Sequence, residues 1–121
     1  MRLRCLIVDD NAGFLAAARD VLGRQEIDVV GVASSGREAR ERLGQLQPDL
    51  MLVDVYLGEE SGFDLARQLA ESERHAPPVV LISTYAEHDF PELIATSPAL
   101  GFVSKAQLSG DAIRGLLERA R

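Results

Sequence analysis

Three aspartates and one lysine carry the chemistry most visible in this chain. Asp9 and Asp10 stand side by side after the apolar run "LRCLIV", Asp54 follows "DLMLV", and Lys105 follows "GFVS". Neighbouring carboxylates about 4 Å apart repel by about 4 kcal/mol at an effective dielectric near 20. Nothing basic lies close by after Arg4 to relieve this. Three such groups gathered on one rim need a cation, and their hard oxygen donors suit Mg²⁺, with Mn²⁺ as a substitute. Zinc is disfavoured, because His75 and His88 are isolated and read as surface residues. Lys105 is the only lysine beside twelve arginines. Its compact ammonium acts as a point charge on a phosphoryl oxygen, where arginine would present a broad planar fork. The blander reading is three surface aspartates capping helix N-termini, with a solvent-facing lysine.

These residues meet only if the apolar runs are strands ending on a common rim. The runs are "LRCLIV", "DVVGVA", "DLMLV", "VVLIS" and "GFVS". They are short and mostly rich in Val and Ile, as buried parallel strands are. Amphipathic stretches alternate with them. Phe14, Leu15, Ala18, Val21 and Leu22 form one helical stripe, and Ile113, Leu116, Leu117 and Ala120 another. Ser35 with Glu38 has capping-box spacing, Ser61 with Asp64 repeats the offset, and Ser109 is placed to cap the last helix. Pro91 can open a fourth helix that Pro98 must close, leaving a short, labile segment. Five strands alternating with five helices specify an α/β fold, a parallel sheet with helices on both faces. Ligands of such sheets bind beyond the carboxyl ends of the strands. That rim receives Asp9, Asp10, Asp54, Ser83 and Lys105, while the second strand delivers only Ala33 and Ser34.

The 121 residues make one domain, 1–121, with an ordinary core. A net charge of −6 argues against direct nucleic-acid contact. The N-terminal apolar run is too short for a signal peptide or a membrane span, so a cytoplasmic location is expected. Cys5, the single cysteine, lies inside that run and reads as a buried, inert thiol.

The motifs "VDDN", "LVDVYLGEESG", "LIST" and "GFVSK", in this order and spacing, make the chain similar to the receiver domain of two-component response regulators. The resemblance covers essentially the whole chain. It implies a flavodoxin-like sheet of order 2-1-3-4-5, and Asp54 as the phosphoacceptor toward a sensor histidine kinase or phosphotransfer protein. It also implies Mg²⁺ held by Asp9, Asp10, Asp54 and the backbone carbonyl of Tyr56. Lys105 and the Ser83 hydroxyl would bind the phosphoryl group. Ser83 and Phe102 would form a switch, and Gly62 would permit the turn into the third helix. Output, or a homodimer, would use the face of the fourth helix, fifth strand and fifth helix. The domain would be no enzyme beyond its own phosphorylation and dephosphorylation, whether standing alone or preceding a transcriptional output domain.

Departures from the commonest family pattern shape further expectations. Ala106 follows Lys105 where a proline with a cis peptide is usual. A cis bond before alanine costs about 3–4 kcal/mol, so a trans bond and a displaced lysine loop are expected. Thr84, Tyr56 and Tyr85 add bulk where water would reach the phosphoryl group, implying slow self-dephosphorylation. Phe102 lacks the more frequent tyrosine's hydroxyl. The competing functions are a pseudo-receiver interaction module, a phosphohydrolase and a flavodoxin-like cofactor carrier. The hydrolase wants Asp-x-Asp after the first strand, and the carrier a Ser/Thr/Gly phosphate loop; neither is present.

Overall fold

The computed structural model describes residues 2–72, 75–86 and 89–119. His88, Ala120 and the terminal Arg121 therefore lie outside the described residues. The elements run β1 (Leu3–Val8), α1 (Ala12–Gly23), β2 (Ile27–Ala33), α2 (Gly36–Leu46), β3 (Leu50–Asp54), β4 (Tyr56–Leu57), β5 (Glu60–Ser61) and α3 (Gly62–Ser72). They continue as β6 (Val79–Ser83), α4 (Pro91–Thr96), β7 (Gly101–Ser104), a 3₁₀ turn (Lys105–Gln107) and α5 (Gly110–Arg119). The main sheet is parallel throughout, in the order β2-β1-β3-β6-β7. By sheet strand this is the expected 2-1-3-4-5.

Strand parity divides the core in two, because successive side chains point to opposite faces. Leu6, Val8, Met51, Val53, Leu81 and Phe102 pack against α2, α3 and Ile94 of α4. Cys5, Ile7, Leu50, Leu52, Val80, Ile82 and Val103 pack against Ala18 and Leu22 of α1 and Ile113 of α5. Both faces are thus covered, which is why the inner strands β3 and β6 are buried at every position. The same parity sorts the rim. Asp9, Asp54 and Lys105 continue the rows of Ile7, Leu52 and Val103, on the α1/α5 side. Ser83 continues the row of Leu81, on the side of Phe102.

The caps follow the sequence signals with one shift. Ser35 Oγ accepts the Glu38 N–H at 3.2 Å, but the Glu38 carboxylate reaches back to the N–H of Ser34, at 3.1 Å, rather than to that of Ser35. Ser61 Oγ accepts the Asp64 N–H at 3.4 Å, and Ser109 Oγ the Ala112 N–H at 3.0 Å. Val21, assigned to the α1 stripe, is 40% exposed, so that stripe is narrower than its spacing indicated. The fourth helix is short as expected, beginning at Pro91 and burying no residue of its own. His75 is exposed. No helix among the described residues is long and apolar enough to cross a membrane.

Cys5 is fully buried in β1, and burial pushes its thiol up to about 12. The thiolate is the reactive form. Iodoacetamide at neutral pH is therefore expected to leave the folded protein unmodified and to label it fully in denaturant. Rapid labelling under native conditions, followed by intact mass, would contradict this burial.

Candidate functional site

The rim at the carboxyl ends of β1, β3 and β7 brings Asp9, Asp10, Asp54 and Lys105 together, and β6 ends beside it in Ser83. Asp9, Asp54 and Ser83 are the buried polar residues among those described. A carboxylate surrounded by apolar strands persists only if something compensates it. Lys105 supplies part of that compensation. Its Nζ lies 3.1 Å from Asp54 Oδ2, as a hydrogen bond, and 2.7 Å from Asp9 Oδ2. The Asp9 contact is a close ion pair without hydrogen-bond alignment, so this fully buried oxygen keeps a free lone pair. Asp10 is exposed. Even so, one oxygen from each of Asp9, Asp10 and Asp54 lies within 4.8 Å of the others.

Backbone donors finish the geometry. The Tyr56 N–H donates to Asp54 Oδ1 at 3.1 Å and the Asn11 N–H to Asp9 Oδ1 at 2.9 Å. Burial raises the Asp54 pKa above the ordinary carboxylate value and outweighs the Tyr56 N–H and the Lys105 ammonium, which pull it down. Burial also works against the Lys105 charge, but its contacts with Asp9 and Asp54 prevail and raise its pKa.

The described residues contain no cis peptide, so Lys105–Ala106 is trans, as alanine requires. The expected displacement does not remove the lysine from the site. Residues 105–107 form the 3₁₀ turn, and the long side chain still spans to both carboxylates.

Ser83 Oγ accepts the Tyr85 N–H at 3.0 Å. Thr84 is exposed, and Tyr56 and Tyr85 are each 54% exposed and meet edge to face, with ring centroids 5.8 Å apart. Behind them stands Phe90, whose ring lies between 5.7 and 6.2 Å from those of Tyr56, Phe63, Tyr85 and Phe102. Phe102 is buried in the core beside Phe90. Sequence spacing does not mark Phe90, since its neighbours come from three different elements and the loop after β6.

One further feature escaped the sequence. The antiparallel pair β4–β5, with Gly58 at φ 62°, folds the segment after Asp54 back on itself. It places Glu60 so that its carboxylate accepts the Gly36 N–H at 3.2 Å, at the start of α2. Gly62, expected to permit the turn into the third helix, opens α3 where an added Cβ would fall 2.0 Å from the Asp54 carbonyl oxygen. Its requirement is therefore close approach of backbones, and the left-handed conformation is not involved.

Comparison with known proteins agrees with this geometry. The family model described as response regulator receiver domain matches residues 5–116. A protein-glutamate methylesterase/protein-glutamine glutaminase from Nocardioides sp. is 33% identical over 100 residues, covering 82% of this chain but only 26% of that protein. The chemotaxis protein CheY of Thermotoga maritima is 32% identical over 80 residues, 66% of this chain and 67% of that one. The signal receiver domain of the response regulator NarL from Mycobacterium tuberculosis superposes with a TM-score of 0.80 at 25% identity, covering 98% of this chain and 96% of that one. The chain spans about a quarter of the methylesterase it matches. On the sheet order, the acidic rim with its lysine and the match over residues 5–116, the chain belongs to the response regulator receiver domain family.

Proposed function

We propose that this domain is a phosphorylation-controlled signalling module. It accepts a phosphoryl group on Asp54 from a histidine kinase or phosphotransfer protein. The observation that carries the reading is Lys105 Nζ, shared between buried Asp9 and Asp54. An Asp54 oxygen attacks phosphorus as the bond to the donor's histidine nitrogen breaks, and the ammonium stabilises charge developing on the phosphoryl oxygens. The free lone pair of Asp9, with Asp10 and Asp54 nearby, fits a small hard divalent cation. Asp9, Asp10, Asp54 and the Tyr56 carbonyl would hold Mg²⁺, which supplies charge neutralisation of the transferring group. Ser83 would bind the phosphoryl group through its hydroxyl, exchanging its present contact with the Tyr85 N–H.

The new charge, roughly two negative units, would bias Ser83 and Phe102. Phe90 touches both Phe102 and the rim tyrosines, and it directly precedes α4, which has no fully buried residue and meets the core through half-buried Ile94. Output through the α4, β7 and α5 face, to a partner or a second copy, follows from that path. The pseudo-receiver alternative drew on Ala106 alone, and Lys105 reaches both carboxylates despite it. The domain is regulatory and acts in the cytoplasm, turning over only its own phosphoryl group.

Incubation with a small phosphodonor and Mg²⁺ tests the reading. The intact chain is expected to gain one phosphoryl by mass, and Asp54→Asn none. The paired rings of Tyr56 and Tyr85, with Thr84, are placed to screen an acyl phosphate from water. The phosphorylated state should last many minutes, and replacing both tyrosines by alanine should shorten it severalfold. A wild-type half-life of seconds, followed by loss of label, contradicts this screening.

A further inference from the structure

Lys105 has a third neighbour besides its two carboxylates. Its Nζ lies 4.3 Å from the centroid of the Phe14 ring. Phe14 is half-buried in the first turn of α1, on the side of the sheet that Asp9, Asp54 and Lys105 share. Five of the chain's six aromatic rings belong to the network around Phe90, and Phe14 is the sixth, on its own beside the lysine.

The ring's placement is tied to the carboxylates by two short links. Asn11 donates its N–H to Asp9 Oδ1 at 2.9 Å and accepts the Phe14 N–H on its side-chain oxygen, also at 2.9 Å. The start of α1 is thus registered against Asp9. The lysine's own backbone offers less. It opens a three-residue 3₁₀ turn without a side-chain cap, and the peptide to Ala106 is an ordinary trans bond. Two of the ammonium's walls are carboxylates whose charge is drawn on by any cation or phosphoryl group that arrives. The ring is the wall whose attraction for the ammonium stays constant.

We propose that Phe14 is a positioning residue, whose ring face holds the Lys105 ammonium over Asp54 where it meets a phosphoryl oxygen. The proposal rests on Asp54 being the phosphoacceptor. Cation–π attraction requires the aromatic face, so an aliphatic side chain of similar size keeps the packing and loses the hold.

The test measures the phosphorylation rate with acetyl phosphate and the affinity for beryllofluoride in Mg²⁺, on the whole chain. Phe14→Leu is expected to lower both by about three- to tenfold, and Phe14→Tyr to retain both. Phe14→Met stands in if the leucine variant melts early. Mg²⁺ affinity alone should not change, and in a Lys105→Met background Phe14→Leu should add no further loss of beryllofluoride affinity. Wild-type rate and affinity in both aliphatic variants overturn the proposal. So does an equal loss in the Lys105→Met background, which would mark a packing role. A wild-type chain that takes no phosphoryl group overturns the phosphoacceptor reading and this one together, and it is seen before any Phe14 variant is made.

Discussion

Lys105→Ala is expected to slow phosphorylation from a small phosphodonor by about a hundredfold or more, while the protein still folds and binds Mg²⁺. The ammonium is the one side-chain cation within reach of Asp54 among the described contacts. It acts on charge that develops only as the phosphoryl group moves, and removal of one preorganised donor of this kind costs about 10²–10³ in rate. A second consequence separates this from general damage. Without the ammonium, buried Asp9 and Asp54 face each other uncompensated, and the cation-free protein should lose about 2 kcal/mol. That is less than the 3–5 of a fully buried pair, because a tenth or so of the Lys105 and Asp54 side chains remains in water. Mg²⁺ should restore most of the lost stability in thermal melts. A Lys105→Ala protein phosphorylated at the wild-type rate would remove the lysine from the mechanism.

Gly62→Ala should be the most damaging single-methyl change in the domain. The added Cβ would lie 2.0 Å from the Asp54 carbonyl oxygen, 2.8 Å from its carbonyl carbon and 2.9 Å from Val55 Cα. All three are backbone atoms at the end of the central strand, so no flexible side chain can yield. The Gly62 N–H is also bonded to the Val55 carbonyl at 2.9 Å, which holds the two segments together. Overpacking costs about 1–3 kcal/mol where side chains can adjust, and occasionally more; here about 3 or above is expected. In a domain of this size that lowers the melting temperature by about 10 °C. The β3 end must move to admit the methyl group, carrying Asp54 with it. A misplacement near 1 Å costs about a hundredfold in a positioned reaction, so phosphorylation should fall even at temperatures where the variant is folded. Melting and phosphorylation like wild type would show that the turn has room the structure does not display.

What was legible beforehand was what strand parity and strand ends encode. Leu50–Val53 and Val79–Ile82 are apolar at every position because both faces of the parallel sheet are covered. The polar residue that follows each run then falls on the common rim. Asp9, Asp54, Ser83 and Lys105 were found that way; the structure brings Asp9, Asp54 and Lys105 into ion-pair contact and ends β6 on buried Ser83, on the Phe102 side of the rim. Contacts with no local spacing were not legible. The two-residue strands of β4–β5 are too short to show a period. The Glu60 cap on α2 and the Gln25 side-chain oxygen that accepts the Gly110 N–H at the start of α5 each join residues distant in the chain. The Phe90 network and the Phe14–Lys105 contact are of the same kind. Ala106 shows the reverse case. The absent proline correctly pointed to a trans peptide, but backbone chemistry alone did not reveal that a long side chain reaches its partners regardless.

The most direct test of the central claim is to locate the phosphoryl group itself. After incubation with acetyl phosphate and Mg²⁺, borohydride reduces an acyl phosphate of aspartate to homoserine, which peptide mass spectrometry then places in the sequence. The account predicts homoserine at position 54 alone, and none when Mg²⁺ is chelated. Homoserine at position 9 or 10, or a phosphoryl group that resists borohydride on another side chain, would contradict it.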